Sequence, residues 1–254
     1  MSEKILEIKN LSVAYGEKII LRDVNFSVNR GEIFIIVGES GSGKSTILKA
    51  IDGILENGGK IISGQIFFNG QDITNISVTE RKKISGESIG MIFQNSGTMF
   101  CPVRTIGEQI FESVRTHKNF SRTEFFERAK NIMKNIRLDE NILSEYPFKL
   151  SGGMAQRAGI LSAMILEPQI LLADEPTSAL DAVTQFDVVE ELLKLKISIV
   201  LVTHNIGVAF KMADKILVLK NGCVVELGTR EKIFKSPKNI YTKELINSVA
   251  RLDL

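Results

Sequence analysis

Continuous apolar runs and alternating runs divide this chain into elements of two kinds. Residues 33–37, 170–173 and 199–202 are continuous apolar runs, the last within a predicted strand at 198–203, and such runs are typical of strands buried on both faces of a parallel sheet. Residues 5–13 and 21–28 partly alternate between apolar and polar positions, which predicts strands with one exposed face. Together with the helical spacing found between them, these runs predict an α/β fold whose N-terminal portion is rich in β-strand.

The periodicity becomes helical in the middle of the chain. Residues 105–135 have apolar positions at helical spacing and contain a Ser-x-x-Glu capping box at 121–124, whose two side chains can satisfy exposed amides at a helix start. We therefore predict a single domain with an α/β core, about residues 1–94 and 168–254. A helical subdomain, about residues 95–167, is inserted into it.

A glycine-rich segment follows the first buried strand and precedes a helical segment. It has the form G-x-x-x-x-G-K-[ST], and strand, turn and helix in this order are the context of a phosphate-binding loop. Glycines let backbone amides and the positive helix start face the oxygens of a polyphosphate. Lys44 can reach the outer phosphates, and the Ser45 hydroxyl can bind Mg²⁺. The alternative is a glycine-rich turn that binds nothing. The candidate phosphate-binding residues are Gly38, Glu39, Ser40, Gly41, Ser42, Gly43, Lys44, Ser45 and Thr46.

A second helix start also has the character of an anion site. Ser151 is a plausible N-cap, and Gly152 and Gly153 follow it immediately. Each glycine costs roughly 1 kcal/mol of helix stability relative to alanine, so either this is a loose loop or bare backbone must approach another group closely. One nucleotide does not obviously require both this site and the phosphate loop.

Polar residues stand at the ends of the predicted strands. Asp174 and Glu175 follow a buried strand, where open α/β sheets bind ligands, so Asp174 suits Mg²⁺ and Glu175 can polarise an attacking water. His204 and Gln94 also follow strands, and they could contact the terminal phosphate and the metal. Tyr15 offers a face for stacking a nucleobase. The alternatives are a solvated acidic turn, a structural histidine, a loop glutamine and a core tyrosine.

Composition favours a cytosolic protein that is not a general nucleic-acid binder. The chain has 254 residues, 44% hydrophobic residues and a net charge of +2 with acids and bases interspersed. The N-terminus lacks the apolar segment of a signal peptide, and no apolar run approaches the roughly 20 residues that span a bilayer. The two cysteines, Cys101 and Cys223, match no metal or redox spacing.

Taken together, these residues resemble the ATP-binding subunits of ABC transporters over nearly the whole chain. The resemblance implies a P-loop NTPase core, ATP and Mg²⁺ as cofactors, and two subunits that enclose two ATP molecules. It identifies Ser45, Gln94 and Asp174 as the Mg²⁺ ligands. The first matching motifs in chain order are Tyr15 as the adenine-stacking residue, residues 38–46 as Walker A and Gln94 as the Q-loop. The ABC signature follows at residues 150–156, with Ser151, Gly152, Gly153 and Gln156. The last motifs are residues 170–174 as Walker B, Glu175 as the catalytic glutamate, residues 178–181 with Asp181 as the D-loop, and His204 as the switch histidine.

Narrower features resemble the dipeptide, oligopeptide and nickel importer branch. These are residues 91–94, 102–109 and 241–245 and the Gly-Gly-Met form of the signature. Residues 95–97 and Ile240 depart from the branch pattern. The resemblance implies import of a peptide or metal complex, at the cytoplasmic face of the membrane. The implied partners are a second ATPase subunit (a heterodimer preferred, a homodimer possible), two membrane permeases and, indirectly, an extracytoplasmic solute-binding protein, with no nucleic acid expected.

Other functions of the same motifs remain open at this point. A soluble ABC ATPase of DNA repair or translation usually carries tandem cassettes, coiled coils or zinc modules, which this sequence lacks. A non-hydrolysing regulatory module would not need Glu175 and His204. A kinase or GTPase built on a P-loop would leave the residues 151–153 unexplained. Neighbouring genes for permeases and a binding protein would discriminate among these functions.

Overall fold

The computed structural model describes residues 3–56, 58–178 and 180–250. The chain divides into two compact units, Met1–Arg81 with Ile197–Leu254 and Lys82–Lys196. The subdomain boundaries expected near residues 95 and 167 both fall inside the second unit. The division into an α/β core and a helical subdomain stays a prediction.

The elements alternate between strands and helices along most of the chain. The strands are β1 (Lys4–Tyr15), β2 (Lys18–Asn29), β3 (Ile33–Val37), β4 (Gly59–Phe68), β5 (Gln71–Asp72), β6 (Ile89–Ile92), β7 (Ile170–Asp174), β8 (Ser198–Thr203), β9 (Lys215–Lys220) and β10 (Cys223–Thr229). The helices are α1 (Lys44–Asp52), α2 (Val78–Ile84), α3 (Ile106–Arg115), α4 (Arg122–Asn135), α5 (Gly152–Met164), α6 (Ala182–Lys194), α7 (Ile206–Met212), α8 (Arg230–Lys235) and α9 (Ile240–Ala250). Short 3₁₀ turns lie at Ser96–Thr98, Glu140–Ser144 and Pro147–Lys149.

An antiparallel sheet forms the N-terminal part of the first unit. Its strand order is β2-β1-β4-β5. In β1, Ile8 is buried and lies opposite Phe26 of β2 and Ile66 of β4. The alternating runs at residues 5–13 and 21–28 are therefore confirmed as strands, because burial of every second side chain on one face produces that alternation.

The first unit also contains parallel strands. β3 pairs in parallel with β8 and with β9, so that Val37 lies beside both Thr203 and Val218. Every residue of β8 is buried, as its continuous apolar run predicts. β10 returns antiparallel to β9 after a turn at residues 221–222 and forms a hairpin with it.

The second unit combines two parallel strands with helices. Ile92 of β6 lies opposite Ala173 of β7. Helix α4 begins at a capping box of Ser121 with Glu124 and buries Phe125 among others, as the helical pattern predicts. With strands and helices in both units, the predicted α/β class is confirmed.

Three short elements were not predicted, namely helices α2 and α7 and strand β5. Helix α2 has no buried residue and β5 has only two residues, so neither leaves a periodic apolar pattern. Among residues 3–56, 58–178 and 180–250, no helix is both long enough and apolar enough to cross a bilayer.

Candidate functional site

The glycine-rich segment forms a tight loop between β3 and α1. A side chain on Gly38 would overlap the carbonyl oxygen of Leu219, and one on Gly43 would lie 2.7 Å from Cδ2 of Leu21. Gly41 and Gly43 have φ angles of 77° and 103°, a region that L-residues with side chains rarely adopt. Glycine is therefore required here by close backbone approach and by backbone conformation.

The loop presents a positive end to any bound anion. Lys44, the first residue of α1, is 5% exposed and its Nζ donates to the carbonyl oxygens of Gly38 and Glu39 at 2.8 and 2.7 Å. Gly43 is the N-cap of α1 and has no side chain with which to cap the first amides. The buried Oγ of Ser42 finds no hydrogen-bond partner among the described residues. Uncapped amides, a hydroxyl and an ammonium thus belong to one short loop, and these are the groups that a phosphate site needs.

His204 and Tyr15, which were also predicted to contact the nucleotide, lie in the same unit as this loop. His204 is exposed and directly follows β8. Because Val37 and Thr203 are paired in parallel, Gly38 and His204 leave the sheet at the same edge. Tyr15 ends β1, is half-buried, and lies opposite Gly59 of β4.

The acidic pair and Gln94 come together in the second unit. Asp174, 5% exposed, is the last residue of β7, and Glu175 follows with a φ of 45°. That left-handed conformation is uncommon for a residue with a side chain, and such residues concentrate at functional sites. Nε2 of Gln94 lies 3.4 Å from Oε2 of Glu175. The parallel pairing of β6 with β7 produces this proximity, since both residues follow the same edge of the sheet.

The signature segment starts α5 as predicted. Ser151 is the N-cap, and its Oγ accepts a hydrogen bond from the amide of Met154 at 3.3 Å. A side chain at Gly153 would lie 2.8 Å from Cγ2 of Thr184, so packing within the chain explains this glycine. At Gly152 the nearest atom would be 3.7 Å away, so nothing in the described chain requires a glycine there.

Gln156, within α5, and Asp181, at the start of α6, have distinct surroundings. Gln156 is 6% exposed, and its Nε2 has no hydrogen-bond partner among the described residues. Asp181 is the N-cap of α6, and hydrogen bonds from the backbone and side chain of Thr184, with the amide of Val183, hold the pKa of its carboxyl below the ordinary value. Asp181 is therefore engaged in capping. Ala179, in the predicted D-loop, lies outside the described residues.

The sequence reasoning missed a buried ion pair that anchors α5. Arg157 donates from Nε to both carboxylate oxygens of Glu191 at 3.1 Å and from Nη2 to one of them at 2.9 Å. The Glu191 side chain is 1% exposed and that of Arg157 is 15% exposed. A glutamate on the buried face of α6 is the only local sign of this pair, and it does not identify the partner 34 residues away.

Replacing Arg157 by methionine should lower the free energy of unfolding by about 3–5 kcal/mol, because the Glu191 carboxylate would stay buried without its counter-charge. Denaturant unfolding of the full chain measures this loss. The matched control is Lys149→Met, since Lys149 pairs with Glu145 at the surface and such pairs contribute at most about 1 kcal/mol. Equal losses in both variants would contradict the prediction.

Comparison with known proteins agrees with this arrangement. Residues 21–178 match the family model described as ABC transporter. The metal-staphylopine import system ATP-binding protein CntD of Staphylococcus aureus is 36% identical over 258 residues, which cover 98% of this chain and 94% of that protein. The dipeptide transport ATP-binding protein DppD of Bacillus subtilis is 38% identical over 263 residues, or 99% of this chain and 78% of that protein.

A solved structure extends the similarity to three dimensions. A dimeric ATP-binding cassette in a post-hydrolysis state, bound to ADP and Pi, matches with a TM-score of 0.77 at 31% identity, over 89% of this chain and 98% of that chain. The predicted resemblance, including its peptide and nickel importer branch, is confirmed. The chain therefore belongs to the ABC transporter family, as one of its ATP-binding and ATP-hydrolysing cassettes.

Proposed function

We propose that this chain hydrolyses ATP, with Mg²⁺, to energise import of a peptide or metal complex through separate membrane permeases. The observation that carries the proposal is the phosphate loop, where Lys44, an uncapped helix start and the buried Ser42 hydroxyl converge. The import function is supported by the similarity to proteins named for dipeptide and metal-staphylopine import.

The proposed site residues have two kinds of role, which are binding of the nucleotide and activation of the attacking water. Lys44 binds the outer phosphates through the same ammonium that donates to the carbonyl oxygens of Gly38 and Glu39. Glu175 orients or deprotonates the attacking water, and His204 assists at the terminal phosphate. The other proposed nucleotide contacts are Tyr15 with the base, and Gly38, Glu39, Ser40, Gly41, Ser42, Gly43, Ser45 and Thr46 with the phosphates.

The proposed magnesium ligands fit a hard cation. Ser45, Gln94 and Asp174 offer hydroxyl, amide and carboxylate oxygens, which Mg²⁺ prefers. Because Nε2 of Gln94 donates to Glu175, its amide oxygen is left to act as the ligand. When bound, the ion neutralises negative charge on the phosphates.

A second ATPase subunit accounts for the signature helix. Gly152 is exposed and has room for a side chain, so no contact among the described residues explains why this position is a glycine. We propose that Ser151, Gly152 and Gly153 bind the ATP of a partner subunit at the start of α5. Gln156, whose Nε2 lacks a partner among the described residues, and Asp181 complete this surface. A heterodimer is the preferred state, since two dissimilar ATPase subunits are common in the branch that this chain resembles.

Permease binding is proposed at residues 94–104, at the cytoplasmic face of the membrane. This segment exposes two large apolar side chains, Met99 at 45% and Val103 at 78%. A short apolar helix of a membrane subunit would cover such positions. Indirectly, an extracytoplasmic solute-binding protein would supply the solute.

Cross-linking in the assembled transporter tests this contact. Cys101 is exposed and lies within the segment, so a thiol-reactive cross-linker should join the unmodified chain to a permease. Cys101→Ser should remove the adduct, and Asn95→Cys in that background should restore it. Adducts with the other ATPase subunit alone would contradict the proposed contact, and so would an adduct that survives Cys101→Ser because it arises from Cys223.

A further inference from the structure

We propose that Tyr241, on the C-terminal helix α9, is a positioning residue for the phosphate loop, because its phenol fixes the backbone of Glu39. This inference rests on the proposed role of the loop in binding ATP. Tyr241 stands in the segment that marks the importer branch, and none of the roles given above uses it. Residues 38–46 and Tyr241 belong to the same compact unit.

The loop needs support at its outer residues. Glu39, Ser40 and Gly41 are exposed, and Gly41 has a φ of 77°. A glycine-rich backbone that is exposed gains conformational freedom unless other groups restrain it. Lys44 also holds the carbonyl oxygen of Glu39, but its ammonium is the group proposed to bind the phosphates.

Tyr241 restrains Glu39 without using the ammonium. The amide of Glu39 donates to the Tyr241 hydroxyl at 3.1 Å. The tyrosine side chain is a fixed acceptor, since Tyr241 is 4% exposed and Nζ of Lys220 lies 4.2 Å from the centroid of its ring. Burial raises the pKa of Tyr241, so the phenol stays protonated at neutral pH.

The neighbouring hairpin restrains the loop from the same part of the chain. The amide of Gly222 donates to the carbonyl oxygen of Ser42 at 2.9 Å, and the carbonyl of Leu219 lies against Gly38. The end of β9, the turn after it and α9 therefore hold three loop residues, Gly38, Glu39 and Ser42. Contacts made by the C-terminal residues thus set the geometry in which the loop receives phosphates.

The test is Tyr241→Phe in the full chain, which removes the hydroxyl and keeps the buried ring. We expect the dissociation constant for ATP to rise about three- to ten-fold, the usual effect of one lost hydrogen bond. Hydrolysis at saturating ATP should stay near the parental rate, so that KM changes and kcat does not. The thermal midpoint without nucleotide should stay within a few degrees of the parental value. Tyr146→Phe is the matched control, because it removes the exposed phenol of Tyr146 in the other unit.

The outcomes separate this inference from the proposed function. If Lys44→Ala binds ATP normally, the loop is not the nucleotide site and the proposed function fails. If Lys44→Ala loses ATP while Tyr241→Phe binds it with parental affinity, only the positioning role is overturned. A Tyr241→Phe variant that melts far below the parental chain and shows unchanged ATP affinity would also overturn it, since the residue would then be structural.

Discussion

Replacing Glu175 by glutamine should reduce the rate of ATP hydrolysis by about 100-fold or more and leave ATP affinity nearly unchanged. The substitution keeps the size of the side chain and its ability to accept a hydrogen bond from Gln94, which lies 3.4 Å away. It removes the carboxylate that orients or deprotonates water. Since ATP is proposed to be bound by other groups, the loss should appear in kcat and not in affinity.

Single-turnover hydrolysis and equilibrium ATP binding measure the two effects separately. Glu167→Gln is the matched control, because Glu167 also has a left-handed φ, of 55°, and its carboxylate forms an exposed pair with Arg128. His204→Ala should slow hydrolysis in the same direction but less. Parental turnover in Glu175→Gln would show that this carboxylate is not catalytic.

Replacing Lys44 by alanine should weaken ATP binding by about 100-fold or more while the chain stays folded. The ammonium is proposed to bind the outer phosphates, and hydrogen bonds from a charged donor contribute roughly 1.5–3 kcal/mol each. The carbonyl oxygen of Glu39 that Lys44 holds can be hydrated in its absence, since Glu39 is exposed.

Calorimetric titration with ATP measures this loss, with the thermal midpoint as the check on folding. Lys49→Ala is the control, because Lys49 lies on the same helix and its ammonium pairs with Glu56 at 2.6 Å. Equal ATP affinity in Lys44→Ala and the parental chain would show that this loop does not bind the phosphates of ATP.

Local patterns predicted the parts of the fold that depend on burial. The runs that became β3, β7 and β8 are apolar without interruption because both faces of those strands are covered, and such runs are visible in one sequence. The phosphate loop was predictable for a similar reason. At Gly38 and Gly43 neighbouring atoms leave no room for a Cβ and the φ angle is positive, so both positions require glycine. These requirements place the two glycines at a fixed spacing in the sequence.

Pairings between distant residues could not be predicted in this way. Arg157 and Glu191 are 34 positions apart, and Tyr241 contacts Glu39 across 202 positions. Neither contact leaves a periodic pattern, because each depends on how the chain folds back on itself. The two signature glycines also look alike in sequence, yet only Gly153 is explained by packing against Thr184.

The central claim is that the signature helix of this chain serves the ATP of a second subunit, and Gly152→Asp tests it most directly. The new carboxylate would face a triphosphate, and repulsion between like charges is strong where water is excluded. Thr123→Asp adds the same charge in the first turn of α4 as a control. ATP affinity of the chain and its ATP-dependent association with the partner ATPase subunit are measured side by side. We expect Gly152→Asp to keep its own ATP affinity and to lose association and hydrolysis, whereas lost affinity in the isolated chain, or normal association, would contradict the claim.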